Sequence, residues 1–277
     1  MQQSAQPMSM ERLAEWLRCP NCAEPLLPTA ALTLGCSAGH RFDVNKRGYV
    51  TLVNSRNATV GDTAQMLADR AELLHSGAYL PIVDALAQLL PGTRAPRVLD
   101  AGCGSGYYLG QVLDHRPDGQ ALALDRSPAA VRMATRSRPS VVGLVADTWE
   151  PLPIRDGACD VILNVFAPRN PAEFARVLAQ DGALLVVVPR SNHLSELRAA
   201  TDMLSVPDGK ASHVEQQLAA YFRLSGILHV QYALALAHGQ AELLRQMGPS
   251  AHHDNATNSP TPSNVTVSVD VIRFEPR

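Results

Sequence analysis

A short apolar run that ends in an acid and passes straight into alternating glycines leaves a chain few ways to fold. The run is Val98-Leu99-Asp100-Ala101-Gly102-Cys103-Gly104-Ser105-Gly106. Its first half reads as a strand, and its glycines as a tight turn whose backbone amides approach a ligand at the start of the next helix. Such a turn belongs between a buried parallel strand and the helix that crosses back over the sheet, which points to an α/β fold with a ligand crevice at the strand ends. The spacing also disfavours one ligand. The dinucleotide fingerprint Gly-x-Gly-x-x-Gly would put its third glycine at position 107, which is Tyr107.

The flanking pattern extends the same architecture. Apolar spacing near three and four predicts helices over Ala64–Ser76 and Tyr79–Leu90, broken at Gly77 and closed by Pro91-Gly92. Strands at 97–102, 121–127, 141–147, 159–167 and 183–189 then alternate with helices near 107–114, 129–136 and 172–178, the mark of a parallel sheet covered on both faces. A helix near Ser212–Phe222, a strand over Gly226–Leu236 and a helix from Gln240 follow; after a Ser/Pro/Asn-rich loop, Val265–Phe274 closes the sheet as an antiparallel strand. Two acids end successive strands. Asp125 is placed to accept from both hydroxyls of a ribose and Asp147 from an adenine amino group. With the glycine loop and in this order, they favour S-adenosylmethionine.

The N-terminal part obeys different rules. Residues 18–55 are turn-rich and carry too little apolar surface to fold unaided. They also carry Cys19-x2-Cys22, thirteen residues, then Cys36-x3-His40, two turn-borne ligand pairs as tetrahedral zinc requires. Four protein ligands leave no position for a catalytic water, so the metal is expected to be structural and to supply the segment's folding free energy. The other cysteines, Cys103 and Cys159, lie in apolar surroundings and read as small buried side chains, not catalytic thiols.

Charge gives a weak third clue. The chain has net charge -2, yet residues 1–60 hold six Arg and Lys against four acids. A mildly basic N-terminal face suits either a solvated surface or phosphate contacts. No apolar run is long enough to span a membrane, and the start lacks the basic and apolar stretches of a secretory signal, so a cytoplasmic protein is expected. The division read from the sequence is a leader over 1–17, disordered over 1–9, then a zinc domain over 18–55 and an α/β domain over 56–277. Residues 54–64 form a polar hinge.

The glycine loop resembles motif I of the class I methyltransferases, which implies a Rossmann-like, doubly wound sheet with an antiparallel last strand. Across nearly the whole chain the sequence is similar to the bacterial 23S ribosomal RNA guanine-N1 methyltransferases, the RlmA-like family. The likeness rests on Cys-Pro-x-Cys, Gly39-His40-x-Phe42-Asp43, Gly48-Tyr49-Val50, Gly61-Asp62-Thr63, Gly77-x-Tyr79-x-Pro81, Gly102-Cys103-Gly104-x-Gly106-Tyr107-Tyr108 and Pro189-x3-His193-Leu194. The resemblance implies cofactor contacts from Tyr79, Gly104, Ser105 and His193, beside Asp100, Gly102 and Gly106 of the loop itself. Asn164 through Pro171 and Met247-Gly248-Pro249-Ser250 resemble the actinomycete branch associated with tylosin-type macrolide resistance. Two departures stand out: Ala78 replaces a histidine, and Ser105 replaces an acid, which leaves open how the methionine end of the cofactor is held.

The implied reaction is transfer of a sulfonium methyl to guanine N1 in a hairpin loop of 23S rRNA. The zinc domain would grip the hairpin through Arg41, Lys46, Arg47 and Arg56, and Asn164, Phe166 and Pro168 would line the base pocket. Guanine N1 must lose a proton; Asp62, at the hinge, suits either that acceptor or a helix cap. Relatives imply a symmetric pair of chains. Two rivals differ in kind: a small-molecule methyltransferase with an ornamental zinc knob, and a zinc-ribbon RNA binder that has lost activity.

Overall fold

The computed structural model describes residues 5–53, 62–200, 207–237, 239–247 and 262–277, with the backbone alone at 5–9 and 245–247. Residues 54–61 of the expected 54–64 hinge, Gly61 and Arg56 with them, and the Gly248–Ser250 part of the branch motif lie outside these residues.

The chain opens with helix α1, Ala5–Trp16, where a leader over 1–17 was expected. Met10, Leu13, Ala14 and Leu17 recur at helical spacing, and all four are buried with Trp16 against the main sheet. The polar opening hides this stripe from a reading of composition. Four short strands follow: β1 Leu27–Ala30, β2 Thr33–Gly35, β3 Arg41–Asn45 and β4 Tyr49–Thr51. They pair antiparallel in sequence order.

Helix α2, Ala64–Leu73, is capped by Thr63, whose hydroxyl accepts from the Met66 amide. A wide turn at Leu74–Ala78, with Gly77 at φ 86°, leads into α3, Leu80–Leu89. The central alternation then runs β5 Arg97–Ala101, α4 Tyr107–His115, β6 Gln120–Asp125, α5 Pro128–Ser137, β7 Val141–Val145, β8 Cys159–Val165, α6 Pro171–Val177 and β9 Leu178–Pro189. The C-terminal part adds α7 Ser195–Ala200, α8 Lys210–Leu218, β10 Phe222–Ala235, α9 Gln240–Met247 and β11 Asn264–Pro276. Helix α7 was not read from the sequence, and β10 begins four residues before the expected Gly226.

All eleven strands join one sheet, ordered β1-β2-β3-β4-β7-β6-β5-β8-β9-β11-β10. From β7 to β10 this is a doubly wound sheet whose one reversed strand, β11, is antiparallel to both β9 and β10. Strands β5 to β8 are apolar on both faces because helices cover both. Val98, Ala121 and Val161 face α3 and α4, and Leu99, Leu122 and Ile162 face α1, α6 and α8.

The zinc segment is not a knob on a tether. Tyr49, Val50 and Thr51 pair in parallel with Gly143, Leu144 and Val145, so β4 continues the central sheet. Arg155 clamps the junction: its Nε donates to the Leu17 carbonyl at 3.0 Å, its Nη2 to Leu26 at 3.3 Å, and its amide to Trp16 at 2.8 Å.

Candidate active site and metal centre

Two turns bring the four metal-ligating side chains together. In the first, the Cys19 amide donates to the Glu24 carbonyl and the Ala23 amide to Cys19; in the second, Cys36 donates to His40 and Gly39 to Cys36. His40 Nδ1 then lies 3.5, 3.6 and 3.3 Å from the sulfurs of Cys19, Cys22 and Cys36, and Cys22 Sγ lies 3.7 Å from Cys36 Sγ. All four ligand atoms fall within 4.8 Å of one another. A tetrahedron with Zn–S bonds of about 2.3 Å has edges of about 3.7 Å, so the donor set fits zinc. The sequence named all four ligands, and the structure gathers them.

The cofactor crevice opens where β5 ends. Gly102 and Cys103 both donate to the Leu124 carbonyl at 2.9 Å, which folds the loop back over β6. Gly102 and Gly106 are required by contact: a Cβ would sit 2.5 Å from Ala167 Cβ in the first and 2.8 Å from Ala134 Cα in the second, and both residues have positive φ. Gly104 differs. The place a Cβ would take there meets Arg70 Nη1 alone, at 3.3 Å. Ser105 is buried within the loop.

The strand-end acids are already partly engaged. Asp125 accepts from the Gly104 amide at 3.0 Å and the Ser127 amide at 2.8 Å; burial nevertheless holds its carboxyl above the ordinary range. Asp100 is buried, and burial together with the Asp125 charge pushes it up to about 8. Asp147 accepts from the Trp149 amide at 3.1 Å and pairs with Arg126 at 3.0 Å, a partner the sequence did not reveal.

The opposite wall is aromatic. Tyr79 is buried, and burial raises its hydroxyl pKa. His193 Nδ1 accepts from the Ser268 amide at 3.1 Å, which places the proton of the neutral ring on Nε2. Burial, helped by Arg198, pushes His193 down to about 4, so the ring is neutral near pH 7. Phe166 stacks on it with ring centroids 6.1 Å apart and planes at 21°. Phe166 has φ 52°, a left-handed backbone that costs a bulky residue about 1–3 kcal/mol and so marks a site where position matters more than comfort.

Two residues take roles other than those expected. Asn164 is 0% exposed, and its amide group donates to the Ala101 carbonyl at 3.2 Å and to Pro168 at 2.8 Å, while Arg169 reaches its oxygen at 3.4 Å. Its side chain thus braces the loop from behind through both carbonyls. Asp62 is not a helix cap, since Thr63 fills that place; its carboxylate pairs with Arg70 at 2.6 Å. Arg70, beside the loop, belongs to no motif in the sequence, and Tyr108 closes the glycine-loop motif there without a role of its own.

Residues 98–182 match the family model "Methyltransferase domain", and residues 17–57 match "RlmA, N-terminal". A 23S rRNA (guanine(748)-N(1))-methyltransferase from Streptomyces fradiae is 43% identical over 88% of this chain and 89% of its own length. The chain belongs to the 23S rRNA (guanine-N1)-methyltransferase family. A Micromonospora griseorubida relative, named for the same guanine-N1 reaction, is 40% identical over 94% of this chain and 97% of its own. In fold, the crystal structure of MccD protein aligns with a TM-score of 0.50 at 13% identity, covering 70% of this chain and 96% of that one. Among the described residues no helix is long and apolar enough to cross a membrane.

Proposed function

We propose that the chain transfers the methyl group of S-adenosylmethionine to N1 of a hairpin-loop guanine of 23S rRNA in the cytoplasm. The guanine is the one the Streptomyces fradiae relative is named for. The observation that carries this reading is the extent of that match: 88% of the chain, which takes in both the metal ribbon and the glycine loop.

Bound S-adenosylmethionine supplies a methyl already activated by the sulfonium charge, so the protein has chiefly to align, dry and deprotonate. Asp125 keeps lone pairs for the ribose hydroxyls while its amide partners hold it still. Asp147 takes the adenine amino group, Tyr79 packs against the ligand, and Asp100 with Gly102, Gly104, Ser105 and Gly106 forms the floor. His193 offers its Nε2–H. Phe166, 43% exposed on the mouth of the crevice, provides a face on which an extruded guanine stacks, with Pro168 bordering it. Asn164 acts through the loop it holds. Asp62 is engaged by Arg70 at 2.6 Å and is therefore not assigned as the acceptor of the guanine N1 proton.

The ribbon presents Arg41, Lys46 and Arg47 on its exposed side. These suit the phosphates of a hairpin, and Arg47→Ala should weaken RNA binding and lower the salt slope by about one. A symmetric pair of chains and altered tolerance to tylosin-type macrolides belong to the same reading. Expression in a host without its own enzyme of this type, with reverse-transcription stops mapped on large-subunit RNA, tests it. A new stop at the corresponding loop guanine is expected; an unchanged stop pattern with well-folded protein would refute it.

A further inference from the structure

The glycine loop does not explain how the amino-acid end of the methyl donor is held. That end is a zwitterion, and Ser105 can neutralise neither of its charges. We propose that Arg70 and Tyr108 bind the carboxylate of the donor's amino-acid end and that Asp62 takes its ammonium group. The inference rests on the methyl-donor reading of the crevice.

Three observations converge on these residues. Arg70 Nη1 lies 3.3 Å from where a Cβ of Gly104 would sit, and among the described residues no other heavy atom beyond its chain neighbours comes near that place, so the guanidinium stands directly over the loop. The ion pair is also fixed to the cofactor machinery. The Asp62 carbonyl accepts from Ser127 Oγ at 2.8 Å, and Ser127 and Gly104 share the Asp125 carboxylate, which closes a ring from loop to ion pair and back. Tyr108 supplies the independent sign. It stands in the first turn of the helix that the loop feeds, and its buried hydroxyl has no hydrogen-bond partner among the described residues. Buried hydroxyls left unmatched are rare, and one beside a ligand crevice marks a missing acceptor. Tyr108 packs edge-on against Tyr107 with ring centroids 5.2 Å apart, and burial, with the neighbouring Tyr79, Tyr107 and Tyr232, raises its hydroxyl while the Arg70 charge lowers it. The Tyr107 hydroxyl is orphaned too, but Asp84 is the charge that acts on it.

Arg70 and Asp62 satisfy each other in the free chain, and a zwitterion offers each the opposite charge. Binding therefore exchanges one ion pair for two without leaving a buried charge alone. This also explains how the loop dispenses with an acid at position 105: Asp62, from the preceding segment, carries the charge instead.

Calorimetric titration of the full, zinc-replete chain separates this role from a purely structural one. The two probes are S-adenosylhomocysteine and 5′-methylthioadenosine, which lacks the amino-acid end. Arg70→Ala should weaken S-adenosylhomocysteine about ten- to hundredfold and leave 5′-methylthioadenosine within about twofold. Arg70→Lys should recover part of the loss. Tyr108→Phe should weaken S-adenosylhomocysteine about three- to tenfold without lowering the melting temperature of the free protein, because the lost hydroxyl bonds to nothing there. Equal losses for both probes in Arg70→Ala, or no loss for either, overturn the proposal. Unchanged S-adenosylhomocysteine affinity in Tyr108→Phe does so even if Arg70→Ala fails to fold. Wild-type protein that binds neither probe refutes the methyl-donor reading itself.

Discussion

The two edges of the sheet are built on opposite principles. At the N-terminal edge, β1 to β4 are three to five residues long, and the outermost, β1, is exposed throughout. At the C-terminal edge, β10 and β11 run fourteen and thirteen residues and pair along almost their whole length, with Val267, Val269 and Val271 buried on one face and Phe274 on the other. Apolar burial along β11 anchors one edge, where β10 outside it keeps only Phe222 buried, and a metal holds the other. An edge held by a metal need not surrender its surface to a core, so Arg41, Lys46 and Arg47 stay on an exposed face, Arg41 donating to the Cys36 and His40 carbonyls, while β4 joins that face to the central sheet.

The largest effect should come from removing the metal. Zinc contributes on the order of 10 kcal/mol to folding such a module. Chelation, or Cys36→Ser, should therefore release amide hydrogen exchange in residues 27–51 and leave β10 and β11 protected. Exchange that rises equally at both edges would erase the distinction between them. Phe274→Ala, a buried ring lost from the apolar edge, should lower global stability by about 3–5 kcal/mol in urea unfolding, with zinc affinity unaltered.

Arg155→Ala strikes the junction between the ribbon and the core. The variant removes the Arg155 donor from the Leu26 carbonyl and one of two donors from the Leu17 carbonyl, which keeps the Leu26 amide; this should cost about 1–3 kcal/mol and loosen the ribbon first. Limited proteolysis should then cut within the first 53 residues before any later site. The smallest effect concerns His193, which joins the C-terminal edge to the crevice through Ser268. Its folded pKa, about 4, lies below the ordinary value near 6.5, so as pH falls the unfolded chain takes up the proton first. The stability this neutral ring provides above pH 6.5 is lost progressively towards pH 4. Urea midpoints at pH 7.5 and 5 should fall further in wild type than in His193→Gln.

Local chemistry was legible in the sequence, and long-range partnership was not. Cys19, Cys22, Cys36 and His40 announce themselves by spacing, and Gly102, Gly104 and Gly106 by their place after an apolar strand. That the α/β part forms a parallel sheet covered on both faces follows from alternation, whereas its strand order does not. Nothing in Tyr49-Val50-Thr51, in contrast, says that it will lie beside Gly143-Leu144-Val145. Arg70 and Tyr108 stand on separate helices and meet only through the fold. Asn164 reads as a polar residue at a strand end and thus as a pocket wall; only the structure shows its amide spent on Ala101 and Pro168. The leader was misread because its apolar stripe begins at Met10, behind a polar start.

In the proposed function, RNA delivery and methyl-donor binding share one sheet yet depend on different forces. Calorimetry of S-adenosylhomocysteine, run beside tritium transfer to 23S rRNA on zinc-stripped and zinc-replete protein, tests it directly. Stripping should abolish transfer to RNA while the affinity for S-adenosylhomocysteine stays within about threefold. Loss of both together, or RNA methylation that survives without the metal, would contradict it.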